Sequence, residues 1–285
     1  MKPVFLFLFA VILLSACNGD NAETGLPFTK DSLIGNWMMI RVIQNAKILS
    51  GNSDAFHDYK DSVMAPLYDN LEMAAFRFQP SGVVTIDEGK VEKITGNWQF
   101  NDKSELLMQY KYLIQKNKSL FAVKRYWHDS LELENVIDIK EDTMYVDYYL
   151  VKLRVNDTIP DLFDPALNKW RERPQQSESD EAIKLRLKQV LYYYSAYFAN
   201  ISGNEVPYFN ITKILAPIKF YSGGIGVKRY KEDDDWTKVF YDNQDAKKAH
   251  VMLNQAFDNI KGYPDQGRDY VKEYIVALKL VADAL

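Results

Sequence analysis

The chain has 285 residues, is 47% hydrophobic and 26% charged, and carries a formal net charge of −4 at pH 7. That length has room for two domains, and the composition is that of a globular protein rather than a disordered one. So weak a negative charge excludes an electrostatic case for nucleic acid. A single cysteine, Cys17, excludes an internal disulfide, and the histidines at 57, 128 and 250 lack zinc-ligand spacing. No metal and no cofactor is expected.

Met1-Lys2-Pro3 opens onto the apolar run VFLFLFAVILLSA. The run is too short to cross a membrane and has the length of a signal-peptide core. It ends on Leu14-Ser15-Ala16-Cys17, which resembles the lipobox of bacterial lipoproteins. The resemblance implies cleavage after residue 16, a diacylglyceryl group on the Cys17 thiol, and acylation of the new amino terminus, with palmitate among the chains. Acyl chains contribute about 0.8 kcal/mol per buried methylene, so two or three of them anchor a protein stably. Asn18, where an aspartate would retain the protein at the inner membrane of enteric bacteria, implies the outer membrane and leaves open which face. Residues 1–16 are thus expected to be a signal peptide. Residues 17–30, polar with Gly and Pro, are expected to be a flexible tether.

From 31 to 155 the pattern is that of β-structure. Strands are expected at 36–44, 73–79, 83–88, 94–100, 105–112, 119–126, 131–139 and 143–153. Pro80-Ser81-Gly82, Asn101-Asp102-Lys103 and His128-Asp129 supply turn chemistry between them. A longer insertion over 45–72 follows the first strand. Eight short strands joined by tight turns suggest an up-and-down antiparallel barrel, because closure removes exposed edges.

SLIGNWMMIRV, FRFQPSGVVTI and GNWQF resemble, in that order, the opening strand, the hairpin and a second Gly-x-Trp strand of lipocalin-like (calycin) domains of bacterial lipoproteins. The resemblance covers 31–155 and implies the barrel and, with it, a small hydrophobic or amphipathic ligand. By strand parity, Trp37, Met39, Phe76, Phe78, Trp98, Met108 and Tyr110 are the candidate lining residues. Large inward aromatics equally allow a completely filled barrel. The two Gly-Asn-Trp tripeptides, at 35–37 and 96–98, each place a glycine and an indole on one face of a strand.

Asp-Ser/Thr-apolar triplets, which resemble the O-glycosylation sequon of Bacteroidota, make Ser32, Ser62, Ser130, Thr143 and Thr158 candidate glycan sites. The same dipeptides also serve as ordinary turn and cap residues.

Residues 156–177 carry prolines and polar residues and are expected to link the barrel to a helical bundle over 178–285. The stripe from Ile183 to Ile201, ended by Gly203, predicts one amphipathic helix. Stripes from Ala249 to Ile260 and from Val271 to Leu285 predict two more. The run Tyr192-Tyr193-Tyr194, with Tyr197 and Phe198, makes the first helix aromatic nearly all round, so it is either central to its bundle or a contact face. Gly223-Gly224 is compatible with a hairpin or a loop. Asp233-Asp234-Asp235 lacks the EF-hand spacing and is expected to be a helix N-cap and acidic loop.

The fold class expected overall is α+β. Gly-x-Ser-x-Gly and Walker sequences are absent, and an acylated Cys17 is no nucleophile. Two functions of different class follow. One is a non-catalytic, lipid-anchored envelope protein that binds a small hydrophobic molecule or a partner protein. The other is a docking component of an envelope complex with a packed barrel and no ligand.

Overall fold

The computed structural model describes residues 28–47, 73–110, 119–139, 142–203, 216–221, 224–260 and 270–285. A short helix, α1 (Lys30–Leu33), precedes eight strands: β1 (Gly35–Lys47), β2 (Ala75–Phe78), β3 (Val83–Asp87), β4 (Ile94–Phe100), β5 (Leu106–Tyr110), β6 (Ser119–Trp127), β7 (Ser130–Ile139) and β8 (Asp142–Lys152). Each pairs antiparallel with the next, and β8 pairs back onto β1, so the barrel is closed. This is the up-and-down barrel expected from the sequence, with strand limits within a few residues of the expected ones.

Alternation builds the interior. On β4, Ile94, Gly96 and Trp98 are buried while Thr95, Asn97 and Gln99 are exposed. Strict alternation would carry Arg41 inside, two residues beyond Met39. A bulge between Met39 and Arg41 prevents it. Ile40 and Arg41 both point outward, and Val42 returns to the interior cluster. A second bulge, between Val123 and Arg125, turns Lys124 and Arg125 outward together in the same way.

The helices follow the expected order: α2 (Asp180–Ile201), α3 (Asn243–Asp258) and α4 (Tyr270–Ala284), with a hairpin of β9 (Ile218–Tyr221) and β10 (Gly224–Val227) between α2 and α3. Ser179 caps α2 by accepting from the Ala182 amide, and Asp180 and Glu181 complement the dipole of its first turn. Asp242 caps α3, accepting from the amides of Gln244 and Asp245. The earlier Asp233–Asp235 run leads into a single 3-10 turn (Asp235–Val239), with no side-chain cap at Asp234.

Helices and barrel share a hydrophobic cluster. Met38, Met73 and Ala75, on the outside of the barrel, belong to the same buried set as Leu191, Tyr193, Tyr197 and Phe198 of α2 and Leu278 of α4. The 156–177 stretch, expected as a linker, buries Leu162, Phe163 and Trp170 in that cluster. Among the described residues no helix is long and apolar enough to cross a membrane.

Candidate functional site in the barrel and at its junction with the helices

Six of the seven candidate lining residues stand together inside the barrel. Trp37, Met39, Phe76, Phe78, Trp98 and Met108 are 0–3% exposed and belong to one buried cluster. Phe76 stacks on Phe78 at 6.0 Å, and Phe78 meets Trp98 edge-to-face at 5.7 Å. Phe28 extends the stack, touching Phe100 at 5.6 Å and Tyr126 at 5.3 Å. With Leu33 buried beneath it, α1 plugs this end. The seventh residue, Tyr110, is only half-buried, at the end of β5 away from the plug. Burial, and secondarily Glu88, pushes its phenol up to about 12.

The two Gly-Asn-Trp tripeptides do similar work by different means. The Trp37 indole N–H donates to the Leu33 carbonyl at 2.8 Å, tying β1 to α1. The Trp98 indole N–H is shared between the carbonyls of Gln79 and Val83, both at 3.1 Å, across the β2–β3 turn. Gly35 is needed for its backbone, which has φ +131°. Gly96 is needed for space, since a Cβ there would lie 2.2 Å from the Gln109 carbonyl oxygen and 2.7 Å from Tyr110 Cβ.

Where the helices meet the barrel, α2 turns three consecutive inward tyrosines onto barrel groups. The Tyr193 hydroxyl donates to Asp87 Oδ1 at 2.8 Å, the Tyr194 hydroxyl to the Gly89 carbonyl at 2.6 Å, and the Tyr197 hydroxyl to the Met73 carbonyl. Asp87 is wholly buried and also receives Arg171 Nη2 at 2.9 Å and the Gly89 amide at 3.0 Å. Lys93 Nζ lies 3.3 Å from its other oxygen. The Arg171 guanidinium lies over the rings of Tyr193 (4.5 Å) and Trp170 (4.7 Å). Burial, opposed by Asp87, lowers the Lys93 ammonium below its usual value. Asp235 adds a further tie by accepting from the Val91 amide at 2.8 Å. The tyrosine run is therefore both central to the helices and a contact face toward the barrel, while Tyr192 alone points out, 40% exposed.

The remaining candidates are scattered. Ser32 lies in α1, half-buried, with its Oγ accepting from the Thr29 amide at 3.1 Å. Ser130 and Thr143 are half-buried on β7 and β8. Thr158 is exposed in a turn and donates to Asn156 Oδ1 at 2.8 Å. Cys17 and Ser62 lie outside the described residues. No group of three or more metal-binding side chains occurs among the described residues. Sequence reasoning passed over Asp87 and Arg171. They are 84 residues apart, one at a strand end and the other in an apparent linker, and neither carries a periodic signal.

No protein-family model matches the chain, and no curated protein sequence matches it. Among solved structures the chain is similar to bovine odorant-binding protein, both in complex with its natural ligand and in complex with undecanal. In each case the identity is 16%, the match covers 46% of this chain and 77% of the other, and the TM-score is 0.27.

Proposed function

We propose that the chain is a non-catalytic protein of the cell envelope, lipid-anchored through Cys17 at the outer membrane, in which a filled barrel and its helices form a docking scaffold for another envelope protein. The observation that carries the reading is the interior itself. Trp37 and the ring-to-ring row Phe76, Phe78 and Trp98 occupy the space that a ligand would need. The lipobox residues support the anchor. The shared core between barrel and helices supports a rigid scaffold rather than two independently moving modules.

The test uses the full chain in detergent and in its native membrane. A docking scaffold leaves the fluorescence of N-phenylnaphthylamine unchanged, carries no lipid in native mass spectrometry, and yields a specific heterologous crosslink in the membrane. Stoichiometric uptake of the probe, or recovery of the monomer alone after crosslinking, counts against it.

A second reading places a small apolar ligand at the end of the barrel away from α1. It is supported by Tyr110 and Val42, which point into the barrel yet remain only partly buried. Probe uptake that Tyr110→Trp blocks would favour this reading over the first.

A further inference from the structure

The outside of the barrel carries a concavity at the border of the face that the helices cover, where Ile40 and Val151 of its wall also pack against the shared cluster. Strands β6, β7, β8 and β1 lie side by side there, and their register decides which side chains are neighbours. One outward row is Trp127, Ser130 and Val151. The next is Arg125, Glu132, Tyr149 and Arg41. Ser130 is thus a short side chain ringed by long ones, and a pit of about 330 Å³ opens over it, walled by Ile40, Arg125, Trp127, Glu132, Tyr149 and Val151. The two bulges flank it, each turning an extra side chain outward at the rim. The volume is at the small end of the range of about 300–1,000 Å³ for small-molecule sites, enough for one ring rather than a chain.

The chemistry of the walls narrows the occupant. Trp127 and Tyr149 offer aromatic faces, and Ile40 and Val151 add aliphatic surface. The Glu132 side chain is only 9% exposed. Its cationic neighbours, Lys124 at 3.5 Å and Arg125 at 3.7 Å, neutralise it without short hydrogen bonds. Among the described residues the side chains of Glu132, Tyr149, Trp127 and Ser130 make no hydrogen bond to one another or to neighbours. The charges around the pit cancel, with Arg41, Lys124 and Arg125 set against Glu132, Glu134 and Asp147. An anion would meet the buried carboxylate, and a cation would meet Lys124 and Arg125. A purely apolar ligand would seal Glu132 away from water with only the longer ion pairs to Lys124 and Arg125 in its place, which costs part of the desolvation of the group.

From this geometry we propose that the pit binds a single neutral pyranose ring. The C–H face of the sugar lies on Trp127, its hydroxyls donate to Glu132, and its ring hydroxyl oxygens accept from Arg125. The site opens on the outer face of the barrel wall, with Leu131 and Leu150 of the interior cluster also in its lining, and the proposal does not rest on the docking reading or on any ligand inside the barrel.

Saturation-transfer NMR on the full chain tests it, in a detergent without a sugar headgroup. The probes are methyl glucoside, methyl mannoside, methyl galactoside and N-acetylglucosamine. Saturation of ring protons of at least one sugar is expected, at affinities in the millimolar range, about −4 kcal/mol. Glu132→Gln removes the acceptor charge, and Ser130→Leu fills the pit from its floor. Each is expected to weaken binding by about tenfold or more. Thermal melting shows which variant keeps the fold, and either one alone suffices. Three results would overturn the proposal: no transfer to any of the four sugars, transfer unchanged in a folded variant, or choline or benzoate binding in preference to them.

Discussion

Replacing Asp87 by asparagine asks whether charge, and not shape alone, holds the helices against the barrel. Asp87 is buried, and its Oδ1 accepts from Tyr193, Gly89 and Arg171 at 2.8, 3.0 and 2.9 Å. Asparagine is nearly the same size, and its amide oxygen can keep the bonds from Tyr193 and Gly89. What disappears is the carboxylate paired with Arg171. The Arg171 side chain is 8% exposed, and its Nε and Nη1 have no acceptor among the described residues. A buried cation stripped of its partner costs about 3–5 kcal/mol. That is a large part of the roughly 5–15 kcal/mol that separates most folded domains from the unfolded state. Arg171→Met is expected to cost less, about 1–3 kcal/mol, because Asp87 keeps Tyr193, Gly89 and Lys93. The double variant removes both halves of the pair, so its loss should fall short of the summed single losses by about 2 kcal/mol. Urea unfolding of the full chain in detergent, followed by tryptophan fluorescence, reads midpoint and slope for all four proteins. Trp170, stacked on the Arg171 guanidinium, reports on the site directly. A loss below about 1 kcal/mol for Asp87→Asn, or strict additivity in the double variant, would refute the reasoning.

The two Gly-Asn-Trp glycines should respond differently to alanine. Gly96→Ala drives a Cβ into the backbone of β5 and should cost about 1–3 kcal/mol or more by thermal unfolding. Gly35→Ala meets no atom within 4 Å and should cost only the strain of its backbone angle, about 1–2 kcal/mol; equal losses would mean the distinction is wrong. Burial pushes the phenols of Tyr193, Tyr197 and Tyr274 well above their usual value of 10.0. The folded chain then holds protons that the unfolded chain releases near pH 10, so stability is full below that pH and falls above it. Tyrosinate absorbance from these residues should appear only on cooperative unfolding, and a smooth titration near pH 10 with the fold intact would contradict this. For Asp245, burial alone would raise the carboxyl. The Glu178 amide, the Ser177 hydroxyl and Lys248 together outweigh it and hold the group below its usual value. Its contribution is present above the unfolded-state pKa and lost as pH falls through the lower folded-state one. Asp245→Asn should therefore lower the midpoint at neutral pH and blunt the acid dependence, as read from denaturation at pH 7 and pH 3.

The barrel was legible because its signals are local. Period-two alternation in AAFRFQ, TGNWQF and ELLMQY places Phe76, Phe78, Trp98 and Met108 on one face, and Pro80-Ser81-Gly82 and Asn101-Asp102-Lys103 mark the turns between strands. All four residues lie inside the closed barrel. The helices were legible for the same reason, through a period near 3.6 and through Ser179 at the start of α2. Alternation could not show where it slips. An extra residue at Ile40 or Lys124 changes no composition, yet it turns Arg41 and Arg125 outward and shapes the rim of the outer pit.

The sequence by itself determined the elements, their order, the inward face of most strands and the aromatic stock of the interior, because those depend on neighbours a few residues apart. Tertiary structure alone decided how that stock is used. It filled the plugged end of the barrel with Trp37 and Trp98 and folded the apparent linker into the core at Trp170. It joined Asp87 to Arg171 and Tyr193 across 84 and 106 residues. It also set Ser130 among Trp127, Glu132 and Tyr149. Such contacts depend on strand register, shear and the docking of one surface on another, and no window along the chain carries those quantities.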